Sequence, residues 1–385
     1  MAQQKKQALQ DVHAITTALP VVDGGWSTVA DPAEQSAGSG VIQQRYRNDN
    51  SVATPGQRGG RSEIGRAIDL LNITAGSVAK VHRAACRGQS LDLQPVKQDI
   101  DALIENFACG PNTLFWALAA NRRMYYLSRR SVGCAVWALA LGQHLDFDRA
   151  SLQELMLGAL LLDIGKLKVP VVILAKASEL NQSEQNFARR HVAESVRMLE
   201  SVDGVSAATI EMVRSHHERI DGSGYPLGLQ GDEISLYAQI AGIVDNFDAL
   251  SLSRYYAEGI SGHAALSTLQ NERGEKFDPI LIDQFISAMG EFPTGSWVEF
   301  SDGCVGVVCS QDPADSMAPQ VVLIADAKQQ PFLAVRWLSL HKHSEARALP
   351  PAERPHHAAA MERSLQAAIY GGRLWKNKKV SIVTL

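Results

Sequence analysis

The chain has 385 residues, of which 45% are hydrophobic and 20% are charged, and its formal net charge is −4. This composition is typical of a globular protein with a buried core, and the length allows two or three domains. The slight negative charge gives no overall attraction to nucleic acid or to anionic lipid, which argues against both as partners. The absence of C-x-x-C pairs, of a long apolar run and of a secretory signal predicts a cytoplasmic protein without a membrane span.

The composition and the hydrophobic pattern of the sequence change three times along the chain. Residues 1–61 are rich in Gly, Ser and Gln and have no periodicity, which predicts a flexible N-terminal segment. Residues 62–290 have apolar residues at helical spacing. Residues 291–342 alternate and are rich in β-branched residues, which predicts a small β module, and residues 343–385 form an Ala-, Arg- and Pro-rich tail. The predicted fold is therefore mainly α, with a small C-terminal β module.

Two adjacent histidines, His216 and His217, precede an acidic, glycine-rich stretch that ends at Pro226. Neutral imidazoles are good ligands for Fe, Mn or Zn. Gly222 and Gly224 allow backbone conformations with positive φ and a close approach to a ligand. Taken alone, the two histidines fit a solvated turn after a helix better than a metal site.

Other acidic and imidazole side chains strengthen the metal hypothesis. Asp163 ends an apolar helix, His191 begins an amphipathic one, and Asp245 interrupts a third helix that is otherwise apolar. A buried aspartate is costly unless it is paired or ligated. Asp163, His191, the His216–His217 pair and Asp245 follow one another at intervals of about two dozen positions. Successive helices can therefore each direct one of these groups at a single point. The pattern predicts a metal centre between helices.

Four segments of the chain are similar to the signatures of one known family. They are Leu160–Lys166 (similar to LLHDIGK), His216–Gly231 (similar to HHERxDGSGYPxGLxG), Asp245–Leu250 (similar to DxFDAL) and Lys276–Pro279 (KFDP). The chain thus resembles the HD-GYP family, closely over residues 121–285. The resemblance implies an HD-type helical bundle at 121–290, preceded by a helical region at 62–120. It also implies metal-dependent hydrolysis of cyclic di-GMP to pGpG and GMP.

The resemblance assigns a role to each matching residue. The implied metal ligands are Asp163, His191, His216, His217 and Asp245. The implied catalytic residues are Asp163 and Lys166, with Lys166 holding the scissile phosphate as a point charge. The implied substrate contacts are Gly222, Gly224, Tyr225, Pro226 and Arg254, which begins a segment similar to RPY. Arg130 is added as a candidate substrate contact because of its charge and not because of the resemblance. The resemblance also implies contact of the Gly222–Pro226 loop with GGDEF-domain proteins.

At three positions the sequence departs from the family pattern. Leu162 and Arg130 stand where the family has metal-binding histidines, and Tyr126 stands where some relatives have a glutamate. Leucine has no donor atom, and the permanently charged guanidinium of arginine repels a metal ion. We therefore expect one divalent ion (Fe, Mn or Zn) or none. The Arg130 cation is expected to pair with Asp245 or with a phosphate of the ligand.

Two functions remain open at this stage, and a third is less favoured. The incomplete metal site favours a binding or regulatory protein of cyclic di-GMP signalling, or a weakly active phosphodiesterase. The alternative is an active metal-dependent cyclic di-GMP phosphodiesterase. The intact GYP stretch argues against a plain HD-type hydrolase acting on another phosphoester. Among the other residues, His82 is expected at a surface or helix end, Trp116 and Trp137 in the core, and Glu218 in a loop cap or salt bridge.

Overall fold

The computed structural model describes residues 63–120, 126–252, 259–312, 315–328, 330–339, 346–349 and 354. These residues form twelve α-helices, two short 3₁₀ segments and five strands. The helices are α1 (Glu63–Cys86), α2 (Gln94–Cys109), α3 (Pro111–Ala120), α4 (Tyr126–His144), α5 (Arg149–Leu161), α6 (Val171–Leu174), α7 (Gln182–Arg189), α8 (His191–Leu199), α9 (Ala207–Ser215), α10 (Leu236–Ser251), α11 (Gly262–Asn271) and α12 (Pro279–Met289). The 3₁₀ segments are Ile164–Lys168 and Gly231–Glu233.

Several helices begin at a side chain that caps the helix N-terminus. The side-chain oxygens of Asp148, Asn181, Ser206, Ser235 and Ser261 accept hydrogen bonds from the backbone N–H groups three residues later, at the starts of α5, α7, α9, α10 and α11. Each cap satisfies a donor that has no partner within the helix. These short polar residues therefore favour the observed start of each of these five helices.

One continuous apolar core holds the helices together. α4 packs along α5, and α10 packs against α4, α9 and α11. α1 and α2 belong to the same core, so the region predicted at 62–120 is not separate from the helical bundle. The 3₁₀ segment Ile164–Lys168 packs between α1 and α8. The mainly α arrangement predicted from the sequence is confirmed.

The five strands form one antiparallel sheet in the order β4-β3-β2-β1-β5. They are β1 (Trp297–Phe300), β2 (Val305–Asp312), β3 (Asp315–Ala325), β4 (Pro331–Ser339) and β5 (Ala346–Ala348). The predicted boundary of the β module at residue 342 is therefore too early. β5 pairs with β1, which gives this part of the predicted tail a place in the sheet.

The sheet is attached to α3 by specific hydrogen bonds. The indole N–H of Trp116 donates to the carbonyl of Cys309 at 2.7 Å, and Trp116 is buried as predicted. The Asn112 Oδ1 accepts from the Gln311 N–H at 3.1 Å and from the Thr294 hydroxyl at 3.0 Å. None of the described helices is both long enough and apolar enough to cross a bilayer.

Candidate metal centre

Four of the five predicted metal ligands meet between the helices. Asp163 follows the end of α5, His191 is the first residue of α8, and His216 and His217 follow the end of α9. One donor atom from each of these residues lies within 4.8 Å of every other. The Nε2 of His191 is 3.3 Å from the Nε2 of His217 and 3.4 Å from the Oδ1 of Asp163. Helix ends from three separate segments therefore converge on one point.

The imidazoles of His191 and His216 are oriented by backbone carbonyls. Their Nδ1 atoms lie 2.7 Å from the carbonyl of Ala188 and 2.8 Å from that of Val213. Each Nδ1 must donate to its carbonyl, so the Nε2 of the neutral ring presents a lone pair to the centre. The buried His216 Nε2 and Asp163 Oδ1 have no hydrogen-bond partner among the described residues. A cation held between them would satisfy both atoms, so the residues present fit a metal ion.

Burial favours the neutral, ligand-competent form of all three imidazoles. Desolvation lowers the pKa of His191 to about 4, although the neighbouring Asp163 acts in the opposite direction. Desolvation also lowers the pKa of His216 and, together with the neighbouring His216, that of His217. At neutral pH the three rings are therefore uncharged, as metal ligands must be.

Two cations neutralise the two carboxylates of the site. The ammonium of Lys166 lies 2.6 Å from Asp163 Oδ2, and the Arg130 guanidinium lies 3.8 Å from the same oxygen. Burial would raise the pKa of Asp163, but these cations outweigh it and hold the pKa below its usual range. Arg130 also forms a buried ion pair with Asp245, which lowers the pKa of Asp245 to about 2 against the effect of burial.

Asp245 was predicted to bind a metal ion, but in the structure the neighbour of its carboxylate is the guanidinium of Arg130. Asp245 lies outside the four-residue cluster and is paired with Arg130, the partner that the sequence suggested for that cation. Its carboxylate charge is already matched, so a second metal ion near Asp245 would have to displace or face the guanidinium. The arrangement leaves one complete donor set.

A second buried ion pair lies one helical turn along α10. The Arg129 Nη1 is 3.7 Å from Asp248 Oδ1, and the same oxygen accepts from the indole N–H of Trp137 at 3.2 Å. A Cβ on Gly133 would collide with Asp248 and Arg129. Only glycine at position 133 leaves room for the Arg129–Asp248 pair between α4 and α10. Together with the Arg130–Asp245 pair, it links these two helices.

The carboxylate of Glu218 supports the loop that follows the histidine pair. It is buried and accepts hydrogen bonds from the backbone N–H groups of Leu227, Gly228 and Leu229 at 2.6, 3.1 and 3.1 Å. A Cβ on Gly224 would lie 2.4 Å from the Glu218 Cα, so the backbone itself requires glycine there. Glu218 thus acts as the loop cap expected from the sequence.

The loop turns back over the histidines. Gly222 has φ of 78°, a conformation that favours glycine, and the Tyr225–Pro226 bond is cis. The Tyr225 ring stacks on the His217 ring with a centroid distance of 4.6 Å. The predicted contact Arg254 and the side chain of Tyr126 lie outside the described residues.

One imidazole near the site does not lie where the sequence predicts it. His82 on α1 was expected at a surface or helix end, but its Nε2 is buried without a hydrogen-bond partner among the described residues. Burial lowers the pKa of His82 to about 4, and Asp163 partly counteracts this effect. No local signal in α1 indicates this position, because it arises only when α1 packs on the segment Ile164–Lys168.

Comparison with known proteins finds several that are similar to this chain. Residues 114–281 match the family model described as "HD domain". The chain is 32% identical over 268 residues to the cyclic di-GMP phosphodiesterase PA4108 of Pseudomonas aeruginosa, a match that covers 70% of this chain and 64% of that protein. It is 34% identical over 165 residues to the cyclic di-GMP phosphodiesterase response regulator RpfG of Xanthomonas campestris pv. campestris (40% and 43% covered).

Two further proteins are similar to this chain. The chain is 40% identical over 139 residues to the 3'3'-cGAMP-specific phosphodiesterase 1 of Vibrio cholerae, covering 36% of this chain and 31% of that protein. The chain thus spans less than two thirds of each of these curated relatives. The solved HDG"Y"P protein Bd1817 of Bdellovibrio bacteriovorus shares the fold, with a TM-score of 0.52, 17% identity, and 64% and 77% of the two chains covered. These matches confirm the resemblance found in the sequence.

Proposed function

We propose that this chain, which contains an HD domain of the HD-GYP type, binds one divalent metal ion and cyclic di-GMP. In this proposal it is a binding or regulatory domain of cyclic di-GMP signalling with at most weak phosphodiesterase activity. The single observation that carries the proposal is the convergence of Asp163, His191, His216 and His217 on one point. The names of the curated relatives supply the class of ligand.

The donor set suits a particular group of metals. Three neutral imidazoles and one carboxylate match the preferences of Fe, Mn or Zn, and do not match Ca²⁺ or Mg²⁺, which prefer oxygen ligands. A divalent ion held there would supply a Lewis acid for a phosphodiester oxygen and lower the pKa of water. The protein contributes the orientation of the rings through Ala188 and Val213.

The charges of the site favour binding over efficient hydrolysis. Lys166 and Arg130 balance the two carboxylates, so that the centre is neutral before any ion arrives. Efficient two-metal chemistry needs a second ion to stabilise charge on the phosphate. Arg130 occupies the carboxylate that would hold such an ion, and a guanidinium cannot activate water. One ion and a phosphate ester remain compatible with this arrangement.

Slow hydrolysis is the second candidate, because two cations adjoin the candidate ion site. Lys166 is 2.6 Å from Asp163, and Arg130 reaches the same carboxylate, so both lie where the charge of a bound phosphate would develop. The cysteine pattern and the lack of a long apolar run further suggest a cytoplasmic location. The resemblance suggests contact of the loop with GGDEF-domain proteins. The Glu218 cap, which keeps that loop ordered, supports such contacts.

Metal analysis combined with cyclic di-GMP binding tests the proposal. Purified protein should contain about one Fe, Mn or Zn per chain, and calorimetry should detect cyclic di-GMP binding. His216→Ala should lower the metal content, whereas His144→Ala, at the exposed end of α4, should not. Chromatography of the nucleotide after incubation separates the two candidates: intact cyclic di-GMP supports the binding protein, and pGpG or GMP supports the slow enzyme. Protein that holds neither metal nor nucleotide contradicts both.

A further inference from the structure

Arg189, Tyr225 and His217 form a stack that leads outward from the candidate metal centre. The Tyr225 ring lies on the His217 imidazole with a centroid distance of 4.6 Å and an interplanar angle of 25°. The Arg189 guanidinium carbon lies 4.7 Å from the centroid of the Tyr225 ring. The stack therefore begins at a candidate metal ligand and ends at a cation.

The two outer members of the stack are held from different segments of the chain. The Tyr225 N–H donates to the carbonyl of His217 at 3.2 Å, which fixes the ring above the imidazole. Arg189 is the last residue of α7, two positions before His191. Tyr225 is half-buried and Arg189 is exposed, so the guanidinium lies at the rim of the site.

The Arg189 cation is positioned but not neutralised. None of the ion pairs among the described residues involves Arg189, whereas Arg130 and Lys166 in the interior are both paired with carboxylates. A guanidinium that rests on an aromatic ring loses little hydration and keeps its N–H groups free to donate in its own plane. Such a group is suited to bidentate hydrogen bonds with a phosphate.

We propose that Arg189 binds a phosphate of the cyclic dinucleotide, namely the phosphate that does not face the metal centre. A cyclic dinucleotide carries two phosphodiester groups, and the interior cations Lys166 and Arg130 are placed to meet only one of them. Arg189 lies beyond Tyr225 on the solvent side and meets the other. This inference rests on the proposed function and adds a residue that determines affinity.

The neighbouring Arg190 provides a matched control. It is also exposed, and its guanidinium carbon lies 5.1 Å from the centroid of the Phe187 ring instead of that of Tyr225. Arg189→Ala and Arg190→Ala therefore remove the same charge and the same kind of stacking from adjacent positions. Only the Arg189 guanidinium lies on Tyr225, the ring that stacks on His217.

The test measures cyclic di-GMP binding by calorimetry on the metal-loaded full chain. Arg189→Ala should weaken binding roughly tenfold or more, as expected for a lost charge-assisted hydrogen bond, and Arg190→Ala should change it less than about twofold. Arg189→Lys keeps the charge but lacks the planar guanidinium, and its affinity for cyclic di-GMP should lie between those of the wild type and Arg189→Ala. The metal content of all three variants should equal that of the wild type.

Four outcomes overturn this inference. If the wild type does not bind cyclic di-GMP, the proposed function fails together with the inference. If the wild type binds and the two alanine variants behave alike, only the role of Arg189 fails. Loss of metal in Arg189→Ala would show a structural role in supporting His217 instead. Cyclic di-AMP has the same phosphates without guanine, so an affinity loss confined to cyclic di-GMP would show base recognition and exclude the phosphate contact.

Discussion

The guanidinium of Arg130 forms an ion pair with the carboxylate of Asp245, although 115 positions separate the two residues in the chain. Both groups are buried, and the Arg130 guanidinium is also 3.8 Å from Asp163. The pair links α4 to α10 beside the candidate metal centre. The Arg130 guanidinium places a fixed positive charge beside the site. Without it, the buried carboxylate of Asp245 would have no counter-charge from Arg130.

Removal of Arg130 should destabilise the fold. Arg130→Met leaves Asp245 buried without its partner, and loss of one member of a buried pair costs about 3–5 kcal/mol in the free energy of unfolding. Urea denaturation measures this change. The double variant Arg130→Met/Asp245→Leu, which replaces both charges by apolar groups, should recover much of the loss. Equal destabilisation by the single and double variants would show that the ion pair is not the cause.

Histidines at positions 130 and 162 should increase the capacity for metal. Arg130→His removes the repelling cation and adds an imidazole, and Leu162→His places a second one next to Asp163. The double variant should raise the metal content measured by mass spectrometry from about one ion per chain to about two. Leu162 is buried in the core, so Leu162→His alone is the control for packing damage. An unchanged metal content would mean that these positions do not face the second site.

Gly165 should be required for the position of Asp163. Its N–H donates to the Ser195 hydroxyl at 2.8 Å, and an added Cβ would lie 2.0 Å from the carbonyl oxygen of His191. Gly165→Ala should push the 3₁₀ segment away from α8, lower metal affinity and cost roughly 1–3 kcal/mol of stability. Gly76→Ala in α1 is the control, because an added Cβ there meets nothing within 4 Å and alanine favours helix. Similar behaviour of the two variants would contradict the packing argument.

Glu218 should control the order of the glycine-rich loop. Glu218→Ala leaves three backbone N–H groups without their acceptor, at a cost of roughly 1–3 kcal/mol in the stability of the loop. Hydrogen exchange at Leu227, Gly228 and Leu229 should become faster, and cyclic di-GMP binding should weaken. Asp221→Ala removes an exposed carboxylate of the same loop that accepts from the nearby Ser223, and exchange at those three positions should stay slow. Unchanged exchange in Glu218→Ala would rule out the cap.

The stability of the metal-free protein should fall as the pH drops from 7 towards 4. Burial lowers the pKa of His82 and of His191 from an ordinary 6.5 to about 4. Between these values the unfolded chain binds more protons than the folded chain, so stability rises with pH. Each histidine should contribute a loss of roughly 1–2 kcal/mol at pH 5 relative to pH 7.

His82→Asn is the variant that isolates one of these two groups. It should show a smaller pH dependence of the urea midpoint than the wild type, because one of the depressed imidazole pKa values is removed. His144→Asn, at an exposed position, should leave the pH dependence as it is. A wild-type midpoint that does not change between pH 7 and pH 5 would show that the buried imidazoles titrate normally.

Much of the site was predictable because its residues lie at helix ends. The apolar spacing that predicts α5 and α10 also marks Asp163 and Asp245 as polar exceptions, and the paired histidines with their glycine-rich loop are a local pattern. The resemblance likewise implies that Leu162 and Arg130 stand where the family has histidine ligands. The position of β5 was not predictable, because three residues inside an irregular tail gain their structure only by pairing with β1.

The amino-acid sequence by itself determined the helical domain, the side chains suited to metal binding and the identity of the residues at positions 130 and 162. These features depend only on residue types and on their spacing within one segment, and both can be read from the sequence. Three contacts are decided only by the tertiary structure. Arg130 forms an ion pair with Asp245, the Nε2 of His82 is buried, and the Arg189 guanidinium stacks on the Tyr225 ring. Each of these contacts joins groups from distant segments, and their burial and mutual distance arise only when the helices pack together.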